Sequence, residues 1–308
     1  MKVINGVSEL HQAFHNTAIT IGNFDGLHLG HKEILRRLQE EAKKINGKAI
    51  VLTFEPHPSE ILTPQKSILR INTIKEKTAL IKNQNIDALI MEPFTKELAS
   101  TTAEDFFNKI LVQKLNPKVI VIGHDFHFGK NREGSIDTLK KFGEKIGIEV
   151  IKVHPFEKDE EIISSSLIRK YIDCGNVEKA HTLLGRPFFL GGTVIKGAGR
   201  GKEMKTPTAN LAIENRLIPG DGVYILMTYV DNALYPSVGS VGINVTFDST
   251  GPRSIETHIL NFVGDLHNKH LILHYLKKIR DMKKFPSMEA LKKEMGNDVA
   301  IAKKFFDL

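Results

Sequence analysis

Between residues 17 and 169 the chain alternates short apolar runs with amphipathic segments of helical period. The runs TAITI (17–21), KAIVLTF (48–54), IDALIM (86–91), KVIVI (118–122) and IEVIKV (148–153) are apolar at successive positions rather than at every second one. Strands of that kind are covered on both faces, as in a parallel sheet held between two layers of helices. The pattern predicts five strands of a doubly wound α/β sheet.

The segments between them carry helix signals. In residues 32–45, Ile34, Leu35, Leu38, Ala42 and Ile45 form one apolar stripe, and Gly47 supplies a stop. Thr101 and Glu104 have the spacing of a capping box ahead of Phe106, Phe107 and Ile110.

Beyond residue 173 the period changes. Residues 173–187 read as a short linking helix and a turn. After them, the strand-like runs FLGGTVI, VYILMTYV (223–230), SIETHILNF (254–262) and HLILHYL (270–276) are separated by Gly, Pro, Asp and Asn. Hairpin spacing without long helices predicts a small antiparallel β-barrel, closed so that few edges stay exposed. A helical pattern returns over 287–308. The expected organisation is therefore an α/β domain over 1–172, a linker over 173–187, and a β-barrel domain with a terminal helix over 188–308.

Composition agrees with two cores, since 308 residues with 41% hydrophobic content exceed what one core usually organises. The single cysteine, Cys174, excludes an intramolecular disulfide. No run approaches the roughly 18 apolar residues of a membrane span, and the first residues lack the apolar stretch of a signal peptide. The expectation is a cytoplasmic protein that does not enter membranes. The net charge of +7 suits anionic partners, among them nucleotide phosphates, acidic lipid and nucleic acid, without choosing between them.

The most informative run is GNFDGLHLGH (22–31), which leaves the first of these strands and enters the first helix. That position faces the positive end of a helix at the carboxyl edge of an open sheet, where ligands bind. Gly22, Asn23, Phe24, Gly26 and Gly30 would let the backbone approach a phosphate chain, with His28 and His31 beside it as donors to phosphoryl oxygens. The spacing fits neither GxGxxG nor a Walker A loop. Further on, ISSSLIR (163–169) opens a helix with Ser164, Ser165 and Ser166. Free N–H groups at such an opening bind anions, and Arg169 adds a fork-shaped phosphate ligand, although plain N-capping explains the serines equally well.

The run 22–31 resembles the HxGH signature of nucleotidyl transferases, in the form found in bifunctional riboflavin kinase/FAD synthetases. TFEPHP (53–58), GHDFHFG (123–129) and ISSSLIR strengthen that resemblance. It implies ATP and FMN as substrates, FAD and pyrophosphate as products, and catalysis by positioning and charge stabilisation, with His28, His31 and Arg169 in that role. It also implies that Asp125, Phe126 and Phe128 help to seat the flavin, where the residues alone read as loop aromatics of the core.

In the second half, GGTVIKGAGRGKEMKTPTANL (191–211) is glycine-rich and basic. Gly197, Gly199 and Lys202 form a candidate phosphate loop, though by itself the run reads equally as a flexible basic hairpin. PTAN resembles the riboflavin kinase signature. The resemblance implies that Thr208 and Asn210 support Mg²⁺ at the ATP phosphates, and that Glu256 in SIETHILNF is the base for the riboflavin 5′-hydroxyl. Taken alone, Glu256 reads as an outward-facing strand residue. The chain departs from the family at Lys205, where an aromatic residue is usual, at Val245, where proline is usual, and at Met282, where an acidic residue is usual.

Two other readings stand beside this one. The basic barrel of a nucleotidyl transferase could be a non-catalytic nucleic-acid-binding module, although it lacks tryptophan and any interleaving of basic and aromatic residues. A flavin-binding regulator without catalysis would lack the catalytic groups, whereas His28, His31, Asn210 and Glu256 are all present. The partners expected are small molecules, with no nucleic acid and no membrane.

Overall fold

The computed structural model describes residues 1–10, 14–66, 68–195, 208–214, 216–243 and 253–308, which form two compact units, Met1–Ser165 and Ser166–Leu308. In the first unit β1 (Lys2–Ile4), β2 (Thr17–Ile21), β3 (Lys48–Glu55), β4 (Ala88–Pro93), β5 (Pro117–Gly123) and β6 (Glu149–Val153) make one parallel sheet in the order β1-β4-β3-β2-β5-β6. The five apolar runs are all strands, and β1 corrects the expected count to six. Three residues carry no readable period. What makes them a strand is the exposed edge of β4, on which Lys2, Val3 and Ile4 align with Ala88, Leu89 and Ile90. The Val7 N–H then donates to the Glu92 carboxylate at 2.6 Å. Burial raises the pKa of that carboxyl group, and the hydrogen bond partly offsets the rise.

The helices of this unit are α1 (Leu29–Lys44), α2 (Pro58–Leu62), α3 (Ile74–Lys82), α4 (Lys96–Ala99), α5 (Ala103–Asp105), which continues as a wider π-type coil over Phe106–Leu115, and α6 (Ile136–Glu144). Consecutive strand residues go to opposite cores. Ile19, Ile50, Leu52 and Ile120 pack with Phe106, Leu111 and Leu139, whereas Ala18, Ala49, Val51 and Val121 pack with Leu35, Leu38 and Ile81. This is why the runs are apolar at every position. The stripe expected on α1 is largely buried, and the chain after it turns at Asn46, in the left-handed region with φ 48°. Gly47 is required for a different reason, because a Cβ there would lie 1.6 Å from the Asn16 carbonyl oxygen. The capping box expected at Thr101 falls one residue later. The Thr102 side chain accepts the Asp105 N–H at 3.1 Å, while the Thr101 hydroxyl donates back to the Glu97 carbonyl of α4.

A short hairpin, β7 (Glu157–Lys158) and β8 (Glu161–Ile162), precedes α7 (Ser165–Asp173), on which the division between the units falls, and α8 (Val177–Leu184) follows. The second unit is a closed antiparallel barrel of β9 (Phe188–Ile195), β10 (Ala209–Ala212), β11 (Gly222–Val230), β12 (Ala233–Gly242), β13 (Ser254–Ile259) and β14 (His270–Arg280), in the order β10-β13-β12-β11-β14-β9. Tyr224 and Tyr275 meet edge to face at 5.3 Å among its buried side chains. On the other side of the wall Val223, Ile225 and Val238 are covered by Ala302 and Val299 of the terminal helix α9 (Met288–Phe305). Arg280 clamps that helix through two hydrogen bonds to Asp298, 3.0 and 2.7 Å long. Met282 packs against the same apolar patch, which gives its departure from the acidic residue usual there a structural reason. Lys205 and Val245 lie outside the described residues.

Candidate functional site

The loop following β2 sits where the sheet order changes direction, since β3 flanks β2 on one side and β5 on the other. Loops diverging from such a point leave a crevice at the carboxyl ends of the strands. Within the loop Phe24 has φ 50°, Gly26 φ 83° and Leu27 φ 40°. Left-handed φ in non-glycine residues costs about 1–3 kcal/mol each and persists only where the surroundings hold it. Here they do. Phe24 and Leu27 are buried in the core beneath α1. The buried Asp25 carboxylate accepts the N–H groups of Ile71 at 3.1 Å and Asn72 at 3.2 Å, and the Asp25 carbonyl accepts the Ser165 hydroxyl at 2.9 Å. The Asn23 carbonyl accepts the Thr53 hydroxyl at 3.3 Å and the Lys77 ammonium at 3.5 Å.

His28 caps α1. Its Nδ1 accepts the His31 N–H at 3.3 Å, and the two rings stack with centroids 3.6 Å apart. With the Nδ1 lone pair used, the proton of a neutral His28 ring sits on Nε2, which makes that nitrogen the donor of the ring. A Cβ at Gly30 would come within 3.3 Å of the His28 ring, so the glycine keeps room for it. His31 also contacts Phe24, with centroids 5.1 Å apart. Gly22 is similarly constrained, since a Cβ there would stand 3.2 Å from the Phe24 ring. Both histidines therefore belong to one packed cluster at the amino end of a helix, where the dipole favours an anion.

A network of charges that the sequence reading missed lies under this loop. Arg70 makes paired hydrogen bonds of 2.9 and 2.7 Å to Glu55 at the end of β3, and its Nε donates to Glu60 at 2.8 Å. Lys77 on α3 donates to the Thr53 hydroxyl at 3.3 Å and lies 3.9 Å from Glu55. Burial lowers the pKa of the Lys77 ammonium, against the opposing pull of Glu55. The only local signal near these residues is the capping box of Thr73 and Glu76 at the start of α3. The sequence does not show where the basic residues on either side of it point.

The three remaining motifs of this half separate into different surroundings. Asp125 is exposed and Phe126 is half-buried, stacked on Phe128 at 5.6 Å. Phe128 is a buried core residue that meets Phe106 at 5.9 Å and is bridged through its backbone to Gly134. In the ISSSLIR run Ser164 precedes α7, Ser165 opens it and holds Asp25, and Ser166 is exposed. Arg169 is half-buried one turn further along, beyond the division between the units. His57 of TFEPHP caps α2, with Glu60 completing the box.

In the barrel the register decides the site. Asn210 on β10 stands directly opposite Glu256 on β13, and Glu256 stands opposite Ser240 on β12. Their neighbours Ala209, Leu211, Ile255 and Thr257 are buried, whereas Thr208, Asn210, Ser240 and Glu256 are half-buried, so alternation puts the latter on the outer face of the wall. Opposed residues of an antiparallel pair have Cβ atoms about 4.5–5.5 Å apart, close enough to serve one ligand. Glu256 thus faces outward, as its strand period indicated, and that face is the one carrying Asn210. Ser240 was not anticipated. Gly197, Gly199 and Lys202 lie outside the described residues.

Among the described residues no group of three or more His, Cys, Asp and Glu side chains is arranged to hold a metal ion. The hard oxygen donors of Thr208 and Asn210 suit a different kind of site, one that completes its shell with water and phosphate oxygens, as Mg²⁺ prefers. Among the described residues no helix is long and apolar enough to cross a membrane.

Comparison with known proteins covers both units. A FAD synthetase family model matches residues 10–167, and a riboflavin kinase family model matches residues 184–306. A bifunctional riboflavin kinase/FMN adenylyltransferase of Buchnera aphidicola is 37% identical over 310 residues, covering 100% of this chain and 99% of that protein. Proteins of the same name from Pseudomonas fluorescens and Escherichia coli are 34% and 33% identical, covering 98% and 100% of this chain and 97% and 99% of their own lengths. A crystal structure from Streptococcus pneumoniae, named as a macrolide-efflux protein, superposes with a TM-score of 0.88 at 32% identity, covering 98% of each chain. That name stays with that protein, since a shared fold does not carry a shared activity.

Proposed function

The chain belongs to the bifunctional riboflavin kinase/FMN adenylyltransferase family, and from that premise we propose how its residues divide the chemistry. It phosphorylates riboflavin to FMN in the barrel unit and adenylylates FMN to FAD in the α/β unit, each step using ATP.

In adenylylation an FMN phosphate oxygen attacks the α-phosphorus of ATP. A P–O bond to FMN forms, the bond from the α-phosphorus to the bridging oxygen breaks, and pyrophosphate leaves. No side-chain nucleophile is needed, and the rate comes from alignment and from donors aimed at the developing charge. His28, His31 and the amino end of α1 supply the donors at the switch point, and the resemblance to the family assigns Arg169 and Ser164, Ser165 and Ser166 the role of phosphate ligands. Gly22, Asn23, Phe24 and Gly30 shape the loop for the phosphates, and Asp125, Phe126 and Phe128 border the flavin. Of these three, Asp125 and Phe126 have the accessible surface for contact, and Phe128 supports Phe126 from the core.

In the kinase step the riboflavin 5′-hydroxyl attacks the γ-phosphorus and ADP leaves. Glu256 accepts the hydroxyl proton as the new P–O bond forms. Thr208 and Asn210 would hold Mg²⁺, which when bound neutralises charge on the ATP phosphates. Gly197, Gly199 and Lys202 complete the phosphate loop in this reading. A cytoplasmic setting fits the single cysteine and the nucleotide substrates. The nucleic-acid-binding alternative is not favoured, because the barrel residues match riboflavin kinase.

The observation that carries the proposal is the pairing of Asn210 with Glu256 in the barrel, set beside His28 capping the helix at the sheet's switch point. Incubation of the purified protein with riboflavin, ATP and Mg²⁺ should give FMN first and FAD later. FAD made only from supplied FMN would refute the kinase assignment, and FMN without FAD would refute the other.

A further inference from the structure

Three anchoring contacts come from one short stretch of chain, one on the neighbouring strand β3 and two on the 22–31 loop itself. Arg70 grips Glu55 at the end of β3, the next two N–H groups, of Ile71 and Asn72, hold the Asp25 carboxylate, and Lys77 reaches the Asn23 carbonyl. Thr73 caps α3 between them, which fixes where Lys77 emerges. The Lys77 side chain crosses the interior to do this, with the residue 7% exposed. Burying an ammonium is costly, so a cation in such a place needs a reason beyond solubility.

The geometry supplies one. In a trans peptide the C=O and N–H point in opposite directions. With the Asn23 oxygen drawn toward Thr53 and Lys77, the N–H of Phe24 in the same peptide points away from both of them. Phe24 holds φ 50°, a conformation that requires support from its surroundings. We infer that Lys77 is a positioning residue for adenylylation, which fixes the Asn23–Phe24 peptide so that its N–H is presented to the phosphate chain. This rests on the reading of the first unit as the adenylylating site. Lys77 touches neither substrate. Its role is exerted through the peptide and through the charge it places beneath it.

The groups facing the Lys77 ammonium are Glu55 on β3, Arg70 ahead of α3, Asp25 in the loop and Glu60 on α2. Burial is the largest influence and leaves its pKa below the ordinary lysine range. With the folded pKa below the unfolded one, the buried charge opposes folding at neutral pH, and the cost is relieved as pH rises through the lowered pKa. A positioning role and a structural role therefore predict opposite things. Replacing Lys77 by methionine should leave the unit as stable as before or more so, and should slow FAD synthesis.

The test compares wild type, Lys77→Met, Lys77→Arg, Thr53→Val and the Lys77→Met/Thr53→Val double variant of the full chain. For each, the conversion of FMN to FAD, the riboflavin kinase rate and the thermal midpoint are measured. Lys77→Met is expected to lower kcat for FAD formation by about 10- to 100-fold, the range for loss of a charged hydrogen bond, with a smaller change in KM for ATP, an unchanged kinase rate and a midpoint at or above that of wild type. Lys77→Arg should recover much of the loss. It should also keep its rate at alkaline pH, where wild type declines as Lys77 deprotonates. Thr53→Val should slow the same step, and the double variant should lose less than the product of the two, because both act on one carbonyl. An unchanged kcat in Lys77→Met, an equal loss of kinase rate, an Arg variant no better than Met, or multiplicative losses would each overturn the inference. If wild type makes no FAD from supplied FMN, the assignment of the adenylylating site is wrong and the positioning role falls with it.

Discussion

The two units handle phosphate in contrasting ways. In the α/β unit the proposed key groups are largely neighbours in sequence, and the loop bearing them is held from below by Thr53, Ser165 and the stretch 71–77. In the barrel, Asn210 and Glu256 are far apart in sequence and meet only because β10 and β13 pair in one register. A motif of the first kind is preorganised by packing around a strained loop, and one of the second kind by a hydrogen-bonded ladder. The difference teaches where each site is vulnerable: the first to changes beneath the loop, the second to a slip of the sheet.

The sharpest way to break the comparison is to disable one site and watch the other. Changing His28 and His31 together to alanine is expected to lower FAD formation by about 10³-fold, the scale of lost oxyanion-type donors, while FMN formation continues. Chromatography of riboflavin, FMN and FAD over time reads both, and a matching loss of FMN would mean that the sites are not separate. Glu256→Gln should do the reverse, lowering FMN formation by about 10²-fold, as expected for a lost general base, with supplied FMN still converted to FAD.

A smaller effect sharpens the claim that the barrel site depends on its scaffold. Asp298→Ala leaves Arg280 without its paired acceptor under α9 and should cost about 2 kcal/mol in stability, read as a lower denaturation midpoint of the barrel unit. An unchanged midpoint would show that the apolar patch holds the helix by itself. The smallest effect tests the packing around His28. Gly30→Ala brings a methyl group to 3.3 Å from the His28 ring and should cost about 1 kcal/mol, a few-fold in FAD synthesis. The kinase rate of the same variant is expected to stay at the wild-type level.

Much of the α/β unit was legible because parallel strands buried on both faces write continuous apolar runs, and the glycine and histidine run between the first of those strands and its helix declares its own context. β1 escaped because three residues have no period, and Thr102 displaced Thr101 as a cap because α4 took the Thr101 hydroxyl for its own carbonyl. The barrel was legible as alternating strands with hairpin spacing. Its candidate site rests in the sequence only on a resemblance in PTAN and SIETHILNF, since alternation alone marks Glu256 as an outward residue and says nothing of what faces it.

The sequence by itself determined the kinds of elements, their order, and which residues are candidates for the chemistry, because periodicity, caps and turns are local properties of the chain. Tertiary structure alone decided that Asn210 faces Glu256 and Ser240, that Ser165 reaches Asp25, and that Lys77 lies under the Asn23 carbonyl. Strand register and the path of a buried side chain are set by burial and hydrogen bonding between distant segments, and those become definite only once the whole core is packed.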